Sequence, residues 1–393
     1  HIDAAVEALN AALDQTGRAA RVERVAGGYR LMTRPEHAPV LAAIRQQQLH
    51  GKLSRAAGKE RKMSQPRSIG IIGGGAWGTA LGQVLAAAGR AVVLWARDAA
   101  VVEEINVRHR NSSRLPGIEL SPALRATARL DAVAAADVVL LAVPAQQTRT
   151  MARELAPLLL KRRVVIITAK GLEQATGLRL SEVLADELPS IEPAVLSGPS
   201  LAVDCARGLP TAVTLATADD DIGRDLAESL STRTFRIYRS SDLTGVELGG
   251  AVKNVLAIAA GIVAGRALGA SAHAALVTRG FAEMSRLLVA LGARHETLVG
   301  LSCMGDLVLT ASSRDSRNMS LGVLLGEGQP LDTILAGRRA VSEGVMTAAA
   351  VVRLARQTGI DMPIAMAVDD IVAGRASVDE AIARLLARPL KAE

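Results

Sequence analysis

A chain of 393 residues exceeds one ordinary domain and can bury two sizeable cores, so two or three units are expected. Its 49% hydrophobic and 22% charged residues exclude a disordered polymer; its two cysteines, Cys205 and Cys303, are too far apart in sequence for a metal motif or a disulfide framework, which fits a reducing cytoplasm. A net charge of +7 is compatible with an anionic partner, but the arginines are scattered and aromatics make up only 2%, so nucleic acid is not expected as a partner.

Residues 1–57 read differently from the rest and run into a polar, basic stretch at 51–62, GKLSRAAGKERK, with the linker set at 58–65. The chain opens at His1, whereas Met63 and the four residues after it precede an apolar strand as a translation start would. The amino-terminal piece is therefore expected to be a separate fragment. The first residues lack a basic stretch followed by an apolar core, so no secretory leader is expected, and apolar runs such as 138–143 and 164–167 are far shorter than the ~20 residues a membrane helix needs, so no membrane span is expected.

From Ser68 onward, short β-rich runs at 69–72, 91–95, 138–143, 164–168 and 194–196 alternate with stretches of helical spacing such as 79–88 and 147–160. The alternation predicts an α/β fold, a Rossmann-type doubly wound parallel sheet over 66–241. After Asp242 the strand signals stop, and Ala/Leu-rich stretches at 245–267 and 274–291 predict an all-helical domain over 242–393.

The run Gly73-Gly74-Gly75-Ala76-Trp77-Gly78 places a G-x-G-x-x-G pattern after a strand and before a helix. In that context Gly73 permits the tight turn, Gly75 lets backbone approach a pyrophosphate, and Gly78 lets helix and strand pack closely; the phosphates would lie on the positive helix end. The second strand ends at Arg97-Asp98, where an arginine would hold the 2′-phosphate of NADPH and an acid the ribose of NADH. Either cofactor is left open.

Reducing a ketone with a nicotinamide needs a proton donor beside the carbonyl and positive charge for the developing alkoxide. Lysine supplies both. Lys170 lies just beyond a predicted strand, at the carboxyl ends where open α/β sheets bind ligands. Lys253 lies among small and aliphatic residues on a predicted helix, where an ammonium is costly and its pKa falls toward the working pH, unless it snorkels outward as a surface lysine. The run 312–318, SSRDSRN, offers guanidinium and hydroxyl donors for a phosphate, or else is a solvated loop. His109 and His273 have no acid or nucleophile nearby in sequence and read as structural or surface residues.

Together and in this order, these segments resemble the bacterial NAD(P)-dependent glycerol-3-phosphate dehydrogenase family over 66–388. The resemblance is carried by Gly73 to Ala80, Leu115-Pro116-Gly117, Ala169-Lys170-Gly171, Leu196 to Ala202, Gly249 to Val255, Thr278-Arg279-Gly280, Met304 to Thr310, Ser316-Arg317-Asn318 and Val341 to Gly344. It implies that Ala76, Trp77 and Arg97 contact the cofactor, that Lys170 touches cofactor and substrate, and that Ala202 lines the cofactor site. Gly198 and Ser200 would bind glycerol phosphate. Lys253 would be the acid/base residue, helped by Lys170; Asp306, Ser316, Arg317 and Asn318 would hold substrate, with Arg317, Val341 and Glu343 also near NADPH. The sequence departs from the family in Ala169, where Ser or Thr is usual, in Asp204, where Glu is common, and in Ser271 and His273 after Gly269, where Asn and a basic residue are usual.

The implied reaction is the reversible reduction of dihydroxyacetone phosphate to sn-glycerol 3-phosphate for glycerophospholipid synthesis, by a cytoplasmic homodimer. A ketopantoate or 6-phosphogluconate type reductase is the alternative among enzymes. Residues 1–57 resemble bacterial segregation and condensation protein B and imply a winged-helix fragment, which admits a second alternative: a chromosome-segregation adaptor with an inactive Rossmann body. If the linker separates two independent pieces, a chain beginning at Met63 retains the kcat, KM and main thermal transition of the full chain. Loss of activity or aggregation on that truncation would make the first segment integral to the enzyme.

Overall fold

The computed structural model describes residues 68–159, 164–337 and 342–389, with shorter runs between 6 and 33. The chain forms two compact units, His1–Lys62 and Met63–Glu393. In the first, β1 (Ala20–Val25) and β2 (Gly28–Thr33) pair antiparallel. Asn10 ties into the hairpin: its amide oxygen accepts from Val22 N at 2.8 Å and its Nδ2 donates to Val22 O at 2.9 Å. The remainder of the expected winged helix and the 58–65 linker lie outside the described residues.

The second unit holds an eight-stranded sheet of β3 (Ile69–Ile72), β4 (Val92–Trp95), β5 (Arg125–Thr127), β6 (Val138–Leu141), β7 (Val164–Ile167), β8 (Glu192–Ser197), β9 (Thr211–Ala216) and β10 (Phe235–Ser240), in the order β10-β9-β8-β7-β6-β3-β4-β5. From β5 to β8 every pairing is parallel, which gives the strand order of a dinucleotide-binding sheet with its switch point between β3 and β6. The doubly wound parallel sheet expected from the alternation is present over these strands, and beyond it β9 runs antiparallel to β8 with β10 following β9 in parallel. The sequence reading passed over β5, β9 and β10. β10, Phe-Arg-Ile-Tyr-Arg-Ser, is an edge strand whose exposed arginines break the apolar run that marks the central strands.

The central strands are buried on both faces, and their side chains divide by parity. Val138, Leu140, Val164 and Ile166 join one core with the helix Ala76–Ala87, while Val139, Leu141, Val165 and Ile167 join another with the helices Thr148–Leu155 and Leu180–Glu187. A third core belongs to the helical half and surrounds the helix Leu243–Gly265.

That helix begins where Asp242 accepts from Gly245 N and Arg294 N, both at 2.8 Å, and every residue from Gly245 to Val263 is buried. At 23 residues and a mean hydropathy of 1.6 it is long and apolar enough to cross a membrane, which a reading of strand-length runs missed; 89% of its most apolar window is buried in the protein, and it is a core helix. It crosses the helix Arg317–Gly326 at very short range through Gly261 and Gly265 on one side and Gly322 and Gly326 on the other. A Cβ on Gly261 would stand 2.2 Å from Met319 O, and one on Gly322 would stand 2.1 Å from Ile258 O. Both obstacles are backbone, so neither can rotate away.

Gly322→Ala is therefore expected to cost about 2–3 kcal/mol, read as a lowered thermal transition. Gly337→Ala, where nothing approaches a Cβ closer than 3.7 Å, serves as the control. Equal transitions in the two variants would show that the helices separate freely.

Candidate active site

At the end of β3 the glycine turn is shaped for a dinucleotide. Gly73 has φ 128°, and its Cβ would lie 2.4 Å from Ala142 O; a Cβ on Gly78 would lie 2.0 Å from Gly73 O. Gly75 faces open space, and it caps the helix Ala76–Ala87 without any side-chain hydrogen bond, so the positive helix end is left for an anion. Asn111, which the sequence reading did not single out, braces the turn by donating to Gly74 O at 3.0 Å and Thr79 Oγ1 at 2.8 Å. Trp77 is half-buried, with its indole Nε1 buried and unpartnered.

Beyond β4 the two candidate ribose contacts separate. Asp98 is committed to its own backbone: it caps the helix Ala99–Arg108 by accepting from Ala100 N at 2.9 Å. Arg97 is exposed and donates to Gln147 Oε1 at 3.2 Å. The turn, the open face over Gly75 and this guanidinium fit a dinucleotide with a phosphorylated ribose.

The chemical centre forms around one buried carboxylate. Lys170 follows β7; Lys253 lies midway along the helix Leu243–Gly265; Asp306 opens the helix Asp306–Ser312 directly after a π-helical turn, Leu301–Gly305. Asp306 Oδ2 accepts from Lys170 Nζ at 2.7 Å and Oδ1 from Lys253 Nζ at 3.0 Å. Lys253 also donates to Thr310 Oγ1 at 2.6 Å, and Lys170 to Gly198 O at 2.8 Å. Lys253 is 5% exposed and Asp306 1%, which rules out the snorkelling surface lysine.

Burial lowers the Lys253 ammonium to about 8; Lys170 and Arg317 add to the lowering, and the Asp306 carboxylate opposes it. Burial alone would raise Asp306, but Lys170 and Lys253 outweigh it and hold that carboxyl below its ordinary value. Two ammonium groups on one carboxylate leave excess positive charge, to which Arg317 contributes. The backbone shapes the other wall: Gly198 has φ 151°, a Cβ there would lie 2.9 Å from Val213 Cα, and Ser200 Oγ donates to Gly198 O at 3.0 Å. Ala202 opens the short helix that follows.

The 312–318 run is not a bare solvated loop. Ser316 Oγ caps the helix Arg317–Gly326 by accepting from Met319 N at 3.2 Å, and Asn318 is buried. Asn318 Nδ2 donates to Asn254 Oδ1 at 2.8 Å, and its Oδ1 accepts from Gly344 N at 3.0 Å. Glu343 Oε1 accepts from Ala145 N at 3.0 Å, while Oε2 and Thr347 Oγ1 are buried without partners, facing the side of Gly171 where a Cβ would stand 3.1 and 3.2 Å from them. Burial raises the Glu343 carboxyl. Val341 lies outside the described residues. His273 bonds Ala311 O at 3.0 Å, and His109 ends the helix Ala99–Arg108 with φ 50°.

Thr310 and Asn254 join the centre without having been singled out. The available signal for Thr310 was its spacing, one turn after Asp306 on the same helix face. Asn254 offered only its place beside Lys253.

Comparison with known proteins follows this geometry. Residues 68–222 match the N-terminus, and residues 242–383 the C-terminus, of the family described as NAD-dependent glycerol-3-phosphate dehydrogenase; residues 1–59 match the segregation and condensation complex subunit ScpB. A glycerol-3-phosphate dehydrogenase of the NAD(P)+ type from Parvibaculum lavamentivorans is 56% identical over 327 residues, covering 83% of this chain and 98% of that protein. This chain belongs to the glycerol-3-phosphate dehydrogenase family. The crystal structure of a glycerol-3-phosphate dehydrogenase from Coxiella burnetii superposes with a TM-score of 0.79 at 38% identity, covering 82% of this chain and 99% of that one. A ketopantoate reductase of the PanE/ApbA family from Ralstonia eutropha shares the fold alone, at 20% identity and a TM-score of 0.52, covering 80% of this chain and 99% of that one.

Proposed function

We propose that the chain catalyses reversible hydride transfer between NAD(P)H and C2 of dihydroxyacetone phosphate, giving sn-glycerol 3-phosphate. The observation that carries this reading is the Lys170–Asp306–Lys253 centre, which lies beside an asparagine–arginine helix start and beyond the strand ends of a dinucleotide-binding sheet. When bound, the nicotinamide supplies the hydride. Lys253 gives its proton to the C2 oxygen in the reduction, and its lowered pKa suits it to take the proton back in the oxidation. Asp306 fixes Lys253 and holds its charged form before the proton is given, and it stays paired with Lys170 after the amine becomes neutral. Lys170 adds positive charge beside the developing alkoxide, and Gly198 with Ser200 shapes the wall behind it.

Arg317 anchors the phosphate, together with the second N–H of Asn318; Ser316 supports both as the helix cap. Ala76, Trp77, Ala202 and Glu343 line the cofactor, and Arg97 reads its 2′-phosphate. The intact lysine centre favours an enzyme over an adaptor with an inactive Rossmann body, and the phosphate anchor favours a phosphorylated ketone over ketopantoate. On the family resemblance we assign a cytoplasmic homodimer serving glycerophospholipid synthesis, with residues 1–57 outside the catalytic machinery.

The proton role fixes a pH dependence. Lys253 must be charged to reduce, so kcat/KM for dihydroxyacetone phosphate falls as pH rises through about 8, whereas for glycerol 3-phosphate oxidation it rises through the same region. Lys253→Ala removes both limbs and lowers kcat by roughly 10²–10⁴-fold. A variant that keeps the pH profile would take Lys253 out of the proton transfer.

Cofactor choice is tested separately. Arg97→Ala is expected to raise KM for NADPH about tenfold or more and to leave NADH nearly unchanged, because only NADPH carries the phosphate a guanidinium would bind. Equal effects on both cofactors would mean that Arg97 reads something common to the two.

A further inference from the structure

Asn254 follows the proton-donating lysine, is 4% exposed, and has a side chain that reaches neither lysine ammonium. Its Nδ2 donates to the backbone oxygen of Lys170 at 2.8 Å, and its Oδ1 accepts from Asn318 Nδ2 at 2.8 Å. Asn318 Oδ1 in turn accepts from Gly344 N at 3.0 Å. The two ends of this chain cannot be reversed. A backbone carbonyl only accepts, so Asn254 must present its nitrogen to Lys170; a backbone N–H only donates, so Asn318 must present its oxygen to Gly344. The middle contact is then forced to run from Asn318 to Asn254, and flipping either amide would set two like groups against each other at both of its contacts.

The relay spans three elements. It starts in the first turn of the helix Glu343–Thr358, passes through the first turn of Arg317–Gly326 and the middle of Leu243–Gly265, and ends on the residue whose ammonium holds Asp306. Close backbone packing keeps the span short: a Cβ on Gly344 would stand 2.6 Å from Asn254 O and 2.9 Å from Asn318 Oδ1. At the starting end, Glu343 also accepts from Ala145 N, beyond the strand β6 that borders the switch point.

We propose that Asn254 is a positioning residue: with Asn318 it forms a one-way amide relay that holds the Lys170 backbone in register with the first turn of the helix Glu343–Thr358 and so sets where the Lys170 ammonium stands. The proposal rests on the dehydrogenase reading above and adds to it a residue that touches neither reacting atoms nor cofactor. It also limits Asn318, whose oxygen is committed to Gly344, to offering a ligand only its remaining N–H, a donor suited to an anion.

The polarity makes the test sharp, because a protonated carboxyl can give the one donor and one acceptor that the relay uses at each amide, though not the amide's second N–H, whereas an ionised one only accepts. Asn254→Asp, when ionised, turns lone pairs on Lys170 O, and Asn318→Asp turns them on Asn254 Oδ1. The charged groups that the surrounding elements contribute are Lys170, Lys253, Asp306, Arg317 and Glu343; the cations favour ionisation of the introduced carboxyl, while the two acids and burial oppose it. The assay is NADPH-dependent reduction of dihydroxyacetone phosphate by the full chain from about pH 5.5 to about pH 8.5, each variant divided by wild type.

Each Asp variant is expected to lose roughly tenfold or more in kcat at the alkaline end, with KM for NADPH changed less than about twofold, and to regain activity relative to wild type on acidification. Asn254→Leu, which has no proton to regain, stays low throughout. Wild-type-like turnover in both Asp variants overturns the relay, and so does a loss that acidification does not reverse, since packing alone would explain it. If Asn254→Asp does not fold, Asn318→Asp decides by the ratio of kcat at saturating dihydroxyacetone phosphate, since its lost phosphate-facing N–H raises KM for that substrate separately; failure of both to fold makes the pair a folding element and overturns the assignment. Absence of wild-type turnover would instead sink the dehydrogenase reading.

Discussion

Burying an ammonium group is tolerable only if something nearby answers its charge, and in this protein Asp306 answers two. Lys253 sits in the middle of a helix buried from Gly245 to Val263, where removing a single partner from a buried pair typically costs about 3–5 kcal/mol. Asp306 provides that partner while using its other oxygen for Lys170. One carboxylate thus fixes the distance between a lysine at a strand end and a lysine on a helix, which joins the sheet to the helical half at the place where both meet the site. The sharing also leaves the site cationic, and it leaves Lys253 incompletely compensated, so burial still lowers its pKa.

Everything else must bring Asp306, Arg317 and Asn318 to that helix without wasted distance. The glycine crossing does so for the second helix, because backbones that would collide with a methyl group leave Asn318 near enough for its amide to reach Asn254 directly. The third helix, which follows a π-helical turn, does so through Asp306 and Thr310, one turn apart on the same face and both bonded to Lys253. Each device places a polar group by means of backbone geometry, and each makes that geometry hard to vary.

This explains which parts were legible in sequence. The dinucleotide turn was readable because its glycines serve local backbone needs at fixed spacing, and the central strands because both of their faces are buried, which yields unbroken apolar runs. The two lysines were readable because a charge among small residues is a local anomaly. Asp306 was not, except through family resemblance: an acid at the start of a helix is an ordinary capping pattern, and only the fold shows that it is buried against residues 136 and 53 positions away. Asn254 was hidden by the lysine beside it. β9 and β10 were hidden because their inverted direction depends on where the chain turns back, and β10, at the sheet edge, carries arginines.

The same competition between backbone and ligand sorts the polar candidates. Asp98 and Ser316 both look like ligand contacts in sequence, and each gives one side-chain oxygen to the first turn of the helix it precedes. A group used in this way gains stability from the fold and loses freedom to bind. Arg97 and Lys170 sit at strand ends, where the sheet's own hydrogen bonds have stopped and no helix turn begins on them, so their side chains reach across to other segments, Arg97 to Gln147 and Lys170 to Asp306. Capping therefore distinguishes neighbours: at the end of β4 one oxygen of Asp98 goes to Ala100 N while Arg97 reaches Gln147, and at the start of Arg317–Gly326 the hydroxyl oxygen of Ser316 goes to Met319 N. In both places a side-chain oxygen satisfies backbone N–H groups that the helix itself leaves unpaired, so the start of each helix is fixed by the residue just before it.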